Sequence, residues 1–478
     1  MFKHSKKTIV FLVVAVFVLS LTACGGGTPT TGSTGGGVEE STNIDDVEQS
    51  SQTGTVEEEK PYTVEVDPVK WKGKKISVWQ TFPEEGDVQS DYGGKSQKQR
   101  REEFQQISGA TVEIVQVPGE DYDKKVIAAI SAGTGPDIVW FGPDKKPTWM
   151  LQKLLLPLSD YIDFNDEEFM KNTGWSKSVI DFYTLNGKVY GANGVQLAAR
   201  IYYNKDLFEK NGLEDPYELY LNGQWTWDKF IELAQELTQD TNGDGKIDQW
   251  GYISWITRQW YYTNGVELIK WVDGKPKFGM DDPKAERALQ ARYDAIHKYK
   301  YMPEVWWDPG PQDRFWKGEI AMDYWGYWEM ENMKKNMGDK LGMVPFPIGP
   351  DMEPGKKSAD VAECIGCGIA ACSKEPDLAA LWLKWSSVSD PESKEAYEKK
   401  MADLYGGLEV YQVFLEAAEN AVIDEVGGYG KLGDIIGTEI ENPVMDGKKT
   451  PAQAIKAAAQ KAQAEIDNIW KQAEAAGQ

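Results

Sequence analysis

Histidine is nearly absent from this chain: His4 and His297 are the only two in 478 residues. His4 lies in an amino-terminal leader, which leaves His297 alone in the body of the protein. Ser-His-Asp triads, Cys-His pairs and multi-histidine zinc sites are hard to build around a single imidazole. His297 itself falls in the helical run Ala285 to Tyr299 and reads as a surface residue. Cysteine is scarce too, four in all. Three of them, Cys364, Cys367 and Cys372, sit among Gly366, Gly368, Ala370 and Ala371 with no second ligand pair beside them. That pattern reads as a tightly packed strand with buried thiols, the alternative being a disulfide formed outside the cell. No phosphate loop occurs, because Gln89 stands where Gly94-Lys95-Ser96 would need its first glycine. Positive charge is in deficit: 52 Lys and Arg face 76 Asp and Glu, a formal net charge of −24. Nucleic acid is thereby disfavoured as a partner, and a crowded surface protein is kept soluble.

Long apolar runs are missing as well. The one candidate, Ile9 to Leu21, is shorter than the ~18 to 20 residues a bilayer requires and comes after Lys3, Lys6 and Lys7, the order of a secretion signal. Leu21-Thr22-Ala23-Cys24 then leads small residues directly into a cysteine, which resembles the bacterial lipoprotein processing site. That resemblance implies cleavage after residue 23 and diacylation of the Cys24 thiol with palmitate-type chains. Two acyl chains anchor stably where one does not. An ordinary signal peptide with an incidental cysteine is the alternative. Residues 1–23 are thus expected to be removed, leaving the protein on the extracellular face of a bacterial membrane. Residues 24–66, rich in Gly, Thr, Ser and acid, read as a disordered tether. The body of the chain, residues 67–478, is larger than one core usually supports and implies two domains.

Beyond the tether, strand and helix alternate. Lys75 to Gln80 alternates like a strand, Gln97 to Ile107 reads as a helix stopped by Gly109, and Thr111 to Val117 alternates again. Lys124 to Ser131 is helical and delivers the chain through Gly135-Pro136 into the apolar strand Ile138-Val139-Trp140-Phe141. This order signals an α/β fold with parallel sheets. Further on, Thr226 suits an N-cap before Phe230, Leu233, Ala234 and Leu237 at helical spacing, and Thr450-Pro451 opens a last helix.

Two motifs carry chemistry. Asp240, Asn242, Asp244, Lys246 and Asp248 fall at positions 1, 3, 5, 7 and 9 of a calcium-type loop with Gly245 at position 6. Position 12, normally a bidentate Glu, is Gly251. The segment therefore reads either as a weak structural calcium site, in the ~0.1 to 1 mM range, or as an Asx-rich turn without metal. No cofactor is required on either reading. The chain also holds 19 tryptophans and 22 tyrosines. Two clusters at turns stand out, Trp255 to Tyr262 and Tyr324 to Trp328. Aromatic faces stack on the apolar faces of sugar rings while nearby amides and carboxylates bond the hydroxyls. Trp225, Trp227, Trp306 and Trp307 read as structural.

Five segments in order resemble the extracellular solute-binding proteins of sugar ABC importers, the family that includes maltose-binding protein. They are Pro136-Asp137-Ile138-Val139, Asn186 to Gly191, Tyr202 to Phe208, Thr226 to Phe230 and Phe315 to Met322. The resemblance covers essentially residues 70–478. It implies a two-lobed periplasmic-binding-protein type II fold, each lobe a mainly parallel sheet flanked by helices, with three hinge crossings. Matched to that pattern, lobe 1 comprises residues 67–196 and 366–406, and lobe 2 comprises residues 197–365 and 407–478. The crossings fall near Gln196, Cys364 to Gly368 and Gly406-Gly407. Carried over position by position, the candidate ligand-binding residues are Phe82, Glu84, Phe141 and Asp144 in lobe 1 and Gln196 at the first crossing. Trp255, Arg258, Tyr327, Trp328 and Tyr429 are the candidates in lobe 2. Gly428 to Gly437 departs from the family, where some relatives place another aromatic. The implied function is capture of a mono- or oligosaccharide by hinge closure for a separate ABC permease, by a monomer and without catalysis. An extracellular carbohydrate-active enzyme using a carboxylate pair, or a surface interaction protein, are the alternatives.

Overall fold

The computed structural model describes residues 62–84, 94–254, 256–303, 311–357 and 359–477. The leader, Cys24, nearly all of the tether, Trp255, Trp306 and Trp307 lie outside the described residues. No helix among the described residues is long and apolar enough to cross a membrane.

The strands in chain order are β1 (Lys75–Gln80), β2 (Thr111–Gln116), β3 (Ile138–Phe141), β4 (Leu155–Leu156), β5 (Thr184–Leu185), β6 (Lys188–Val189), β7 (Gln196–Leu197) and β8 (Ala199–Asn204). They continue with β9 (Trp250–Ser254), β10 (Ile269–Val272), β11 (Lys275–Phe278), β12 (Ile320–Gly326), β13 (Leu341–Val344), β14 (Val361–Glu363), β15 (Gly366–Ala370) and β16 (Val422–Ile423). Lobe 1 is built on a sheet of order β2-β1-β3-β15-β4, and lobe 2 on one of order β13-β8-β12-β9. Between them lies a three-stranded ribbon of order β16-β14-β7, one strand for each passage of the chain.

The sheets are mixed, where the strand and helix alternation predicts parallel ones. β1 runs parallel to both β2 and β3, and β12 parallel to β9. β15 and β8 run antiparallel to their neighbours. Each comes directly after a hinge strand, so it enters its lobe from the hinge end, against the direction of the strands that belong to that lobe's own βαβ units. The third strand of the ribbon is Val422–Ile423, later than Gly406-Gly407. Gly406 is instead the left-handed C-cap (φ 81°) of the helix Pro391–Tyr405, and the helix Leu408–Glu419 intervenes before the strand forms.

Local sequence signals account for the helix ends. Ser96 and Gln99 form a capping box on the helix Gln97–Ser108, which Gly109 ends at φ 69°. Thr226 accepts from the Lys229 amide, and Phe230, Leu233 and Ala234 turn the buried face of Trp227–Glu236 inward. Thr450 and Gln453 cap the last helix, Pro451–Ala476. Tyr62, Val64 and Val66 fall within the segment that composition assigns to the tether, yet they lie against the lobe 1 core, where their alternate spacing puts all three on one side of an extended segment.

Candidate functional site

β12 ends at Gly326, and the turn after it, Tyr327–Glu329, carries Trp328 to the surface. Trp328 is 41% exposed, unusual for an indole, and meets Tyr327 edge-on at 5.5 Å between ring centroids. The Tyr327 hydroxyl is hydrogen-bonded by the Gln196 side chain; burial, then the charge of Glu363, pushes its pKa up to about 12. Gln196 and Glu363 face each other across β7 and β14, at the middle of the hinge ribbon. Glu363 accepts no hydrogen bond and meets no cation among the described residues. Desolvation therefore raises its pKa unopposed. Two hinge strands and one lobe 2 turn thus bring together an exposed indole, a phenol, an amide and an unpartnered carboxylate.

A second group lies where lobe 1 touches lobe 2. Lys146 extends from the lobe 1 helix Lys146–Leu151 to within 3.6 Å of Glu425 Oε2, just past β16. Its Nζ stands 4.1 Å from the Phe182 ring centroid and 4.6 Å from that of Trp271. Trp271 Nε1 donates to Glu425 Oε1 at 2.6 Å. Burial pulls the Lys146 pKa down and the Glu425 pKa up, each opposed by the charge of the other. Beside them the chain of Gly427-Gly428 lies directly on Asp144: a Cβ at Gly428 would stand 2.7 Å from the Asp144 carbonyl oxygen. The absence of side chains at these two glycines is what lets the segments meet so closely.

The remaining candidates fall in different places. Asp144 is half-exposed and pairs with Lys145, which also reaches Asp123 at 2.8 Å. Arg258 pairs with Asp424, immediately past β16. Glu84 is engaged bidentately by Arg101 at 2.6 and 2.9 Å, and Phe82 is buried edge-on against Trp140. Phe141 is buried between Trp149 and Tyr183, and Tyr429 is buried with its hydroxyl donating to Glu425 Oε2 at 3.4 Å. Neither ring offers a face to a ligand, because each points into a lobe core. The aromatic clusters are likewise mostly core: Trp260, Tyr261, Tyr262 and Tyr324 are fully buried. Glu363, Lys146 and Trp271 carry no mark in the sequence. The family pattern puts the second crossing at Cys364 to Gly368, which begins one residue after this carboxylate.

In the calcium-type loop the acceptors are turned onto the loop's own amides. Asp240 accepts from Gly243 at 2.6 Å and Gly245 at 2.7 Å, Asn242 from Asp244 at 2.9 Å, Asp244 from Lys246 at 2.9 Å, and Asp248 from Thr241 at 3.0 Å. The Gly245 amide is the main cause that holds the Asp240 pKa below the usual carboxylate range. Among the described residues no group of three or more His, Cys, Asp or Glu is placed to hold a metal ion. Cys364, Cys367 and Cys372 are free thiols.

The family model of the bacterial extracellular solute-binding protein matches residues 99–404. The chain belongs to that family. This solute-binding protein is 27% identical over 210 residues to an uncharacterized ABC transporter extracellular-binding protein of Pyrococcus horikoshii, covering 41% of this chain and 45% of that one. It is 24% identical to the maltodextrin-binding protein of Bacillus subtilis, over 62% of this chain and 66% of that relative. Among solved structures it matches an ABC substrate-binding protein of Listeria monocytogenes in complex with cycloalternan, with a TM-score of 0.56, 22% identity and coverage of 84% and 98% of the two chains. The cyclic α-maltosyl-1,6-maltose binding protein of Arthrobacter globiformis matches with a TM-score of 0.63, 19% identity and coverage of 82% and 99%. These structures establish the two-lobed type II fold for the solute-binding protein.

Proposed function

We propose that this protein is an extracellular, lipid-anchored receptor that holds a mono- or oligosaccharide between its lobes and passes it to an ABC permease without chemical change. The observation that carries the reading is that Tyr327 has on one side Trp328, an exposed indole, and on the other the charge of Glu363, a desolvated carboxylate lacking any partner among the described residues. A sugar ring supplies what both lack: an apolar face for the indole and hydroxyl donors for the carboxylate. Gln196 on the ribbon and Tyr327 on the lobe 2 turn beside it add neutral donors and acceptors. Because these groups come from the hinge and from lobe 2 while Asp144 comes from lobe 1, one ligand can touch both bodies, which is what closure by a ligand requires.

Catalysis by a carboxylate pair is disfavoured by the same geometry. Glu84, Asp144, Asp424 and Glu425 are each engaged by a cation, so none of these four offers Glu363 a free carboxylate partner. The Asp240 loop serves as a structural turn, and any calcium it takes is structural. Anchoring through Cys24 is the consequence of the leader, and the protein acts as a monomer. A thermal-shift screen over a saccharide library tests the central reading: a ligand at a hundred times its dissociation constant adds about 2.7 kcal/mol of stability. Stabilisation by a saccharide, with no new reducing ends released, is the expected result. An unbroken absence of shifts across the library contradicts it.

A further inference from the structure

Among the described residues Lys146 is the only lysine that is buried. Its ammonium has left water on the lobe 1 side, where Phe182 is its aromatic neighbour at 4.1 Å. Its anionic partner, Glu425, and its second aromatic neighbour, Trp271, both belong to lobe 2. That half of the cage is tied together within lobe 2: Trp271 donates to Glu425 Oε1 at 2.6 Å, Tyr429 donates to Oε2 at 3.4 Å, and Trp470 packs edge-on against Trp271 at 5.6 Å. An ammonium between two ring faces with a carboxylate behind is a cation-binding arrangement, and here the cation arrives on the opposite lobe. When the lobes part, Glu425 keeps its donors Trp271 and Tyr429 but loses the one cation that pairs with it among the described residues, and Lys146 returns to water. The contact therefore contributes only in the arrangement that brings Gly427-Gly428 onto Asp144.

We propose that Lys146 is a positioning residue for ligand capture: by docking into the Trp271 and Glu425 cage it sets how far the ligand-free protein is already closed, and so its affinity for ligand. No ligand contact by Lys146 is involved. The part of this inference that concerns affinity rests on the saccharide reading above; the part that concerns ligand-free shape does not, so the two can fail separately.

The test compares wild type with Lys146→Met, which keeps the apolar stem, Lys146→Arg, which keeps the charge, and Glu425→Gln. Small-angle scattering of the ligand-free proteins is paired with titration by a saccharide that stabilises the wild type. The expected result is a larger ligand-free radius of gyration for Lys146→Met and Glu425→Gln, a wild-type radius for Lys146→Arg, and about tenfold weaker binding for the two expanded variants. Saturating saccharide should return all four to one shape. Folded variants with a wild-type ligand-free radius overturn the proposal, and so does weaker binding without expansion, which would place Lys146 on the ligand itself. Should Lys146→Met fail to fold, Glu425→Gln carries the same comparison. If no saccharide binds, the ligand-free radii alone decide it.

Discussion

The Trp328 indole lies over Gly326: a Cβ on that glycine would stand 2.2 Å from ring atom Cζ2 and 2.4 Å from both Cε2 and Cη2. No side chain can occupy position 326 without moving the ring. Gly326→Ala should therefore displace Trp328 and weaken saccharide binding nearly as much as Trp328→Ala, which removes the stacking face and should lose roughly 1 to 3 kcal/mol. Because the indole is 41% exposed, neither change should shift the melting temperature by more than a few degrees. Titration calorimetry beside thermal melts checks both; a Gly326→Ala protein that binds normally would detach the ring from the site.

Glu363 gives a change of opposite sign in stability and in binding. Its carboxyl is desolvated without compensation, so Glu363→Gln should leave the ligand-free protein as stable or more stable at neutral pH. Saccharide affinity should fall at least tenfold, since a neutral amide replaces a charge-assisted acceptor. Loss of stability together with unchanged affinity would assign Glu363 to the scaffold.

Asp323 on β12 is fully buried, neither of its oxygens has a partner, and burial, with Glu329 nearby, pushes its pKa up to about 8. Between an unfolded value of about 4 and the folded value the native state holds a proton the unfolded state has released, so stability should fall as pH rises through that window. Asp360, raised to about 6 by burial, adds to the lower part of the same slope. Asp323→Asn should flatten the profile and raise the melting temperature at pH 8 while changing it little at pH 4. A variant whose profile parallels wild type from pH 4 to 8 would show that Asp323 does not drive the slope.

The thiols should be inert in the native state. Burial pushes the Cys364 thiol far up, and Cys367 up to about 12, with its Sγ donating to the Ala192 carbonyl at 2.8 Å. A thiol reagent should leave both unmodified in native protein and label them on unfolding. Rapid native labelling would indicate that β15 opens readily.

Much of the architecture is legible in the sequence because its signals are local. The capping of Gln97–Ser108 by Ser96 and of Trp227–Glu236 by Thr226, and the stop at Gly109, are decided within a few residues. The third hinge strand is not legible: two apolar residues after a helix carry no periodicity, whereas Gly406-Gly407 looks like a joint and is a helix end. The site is legible in part. Trp328 can be placed from its position after β12, but Phe141 and Tyr429 show that a position near a cleft does not say which way a ring turns. Glu363 has no neighbour in sequence that marks it, because its significance is the absence of a partner in space.

The most direct measurement is a crystal structure with a saccharide that stabilises the protein in the thermal screen. The account predicts one sugar chain between the lobes, a ring stacked on Trp328 and hydroxyls donating to Glu363, with Lys146 seated against Glu425. A saccharide bound elsewhere, or bound between the lobes without touching Trp328 or Glu363, would contradict it.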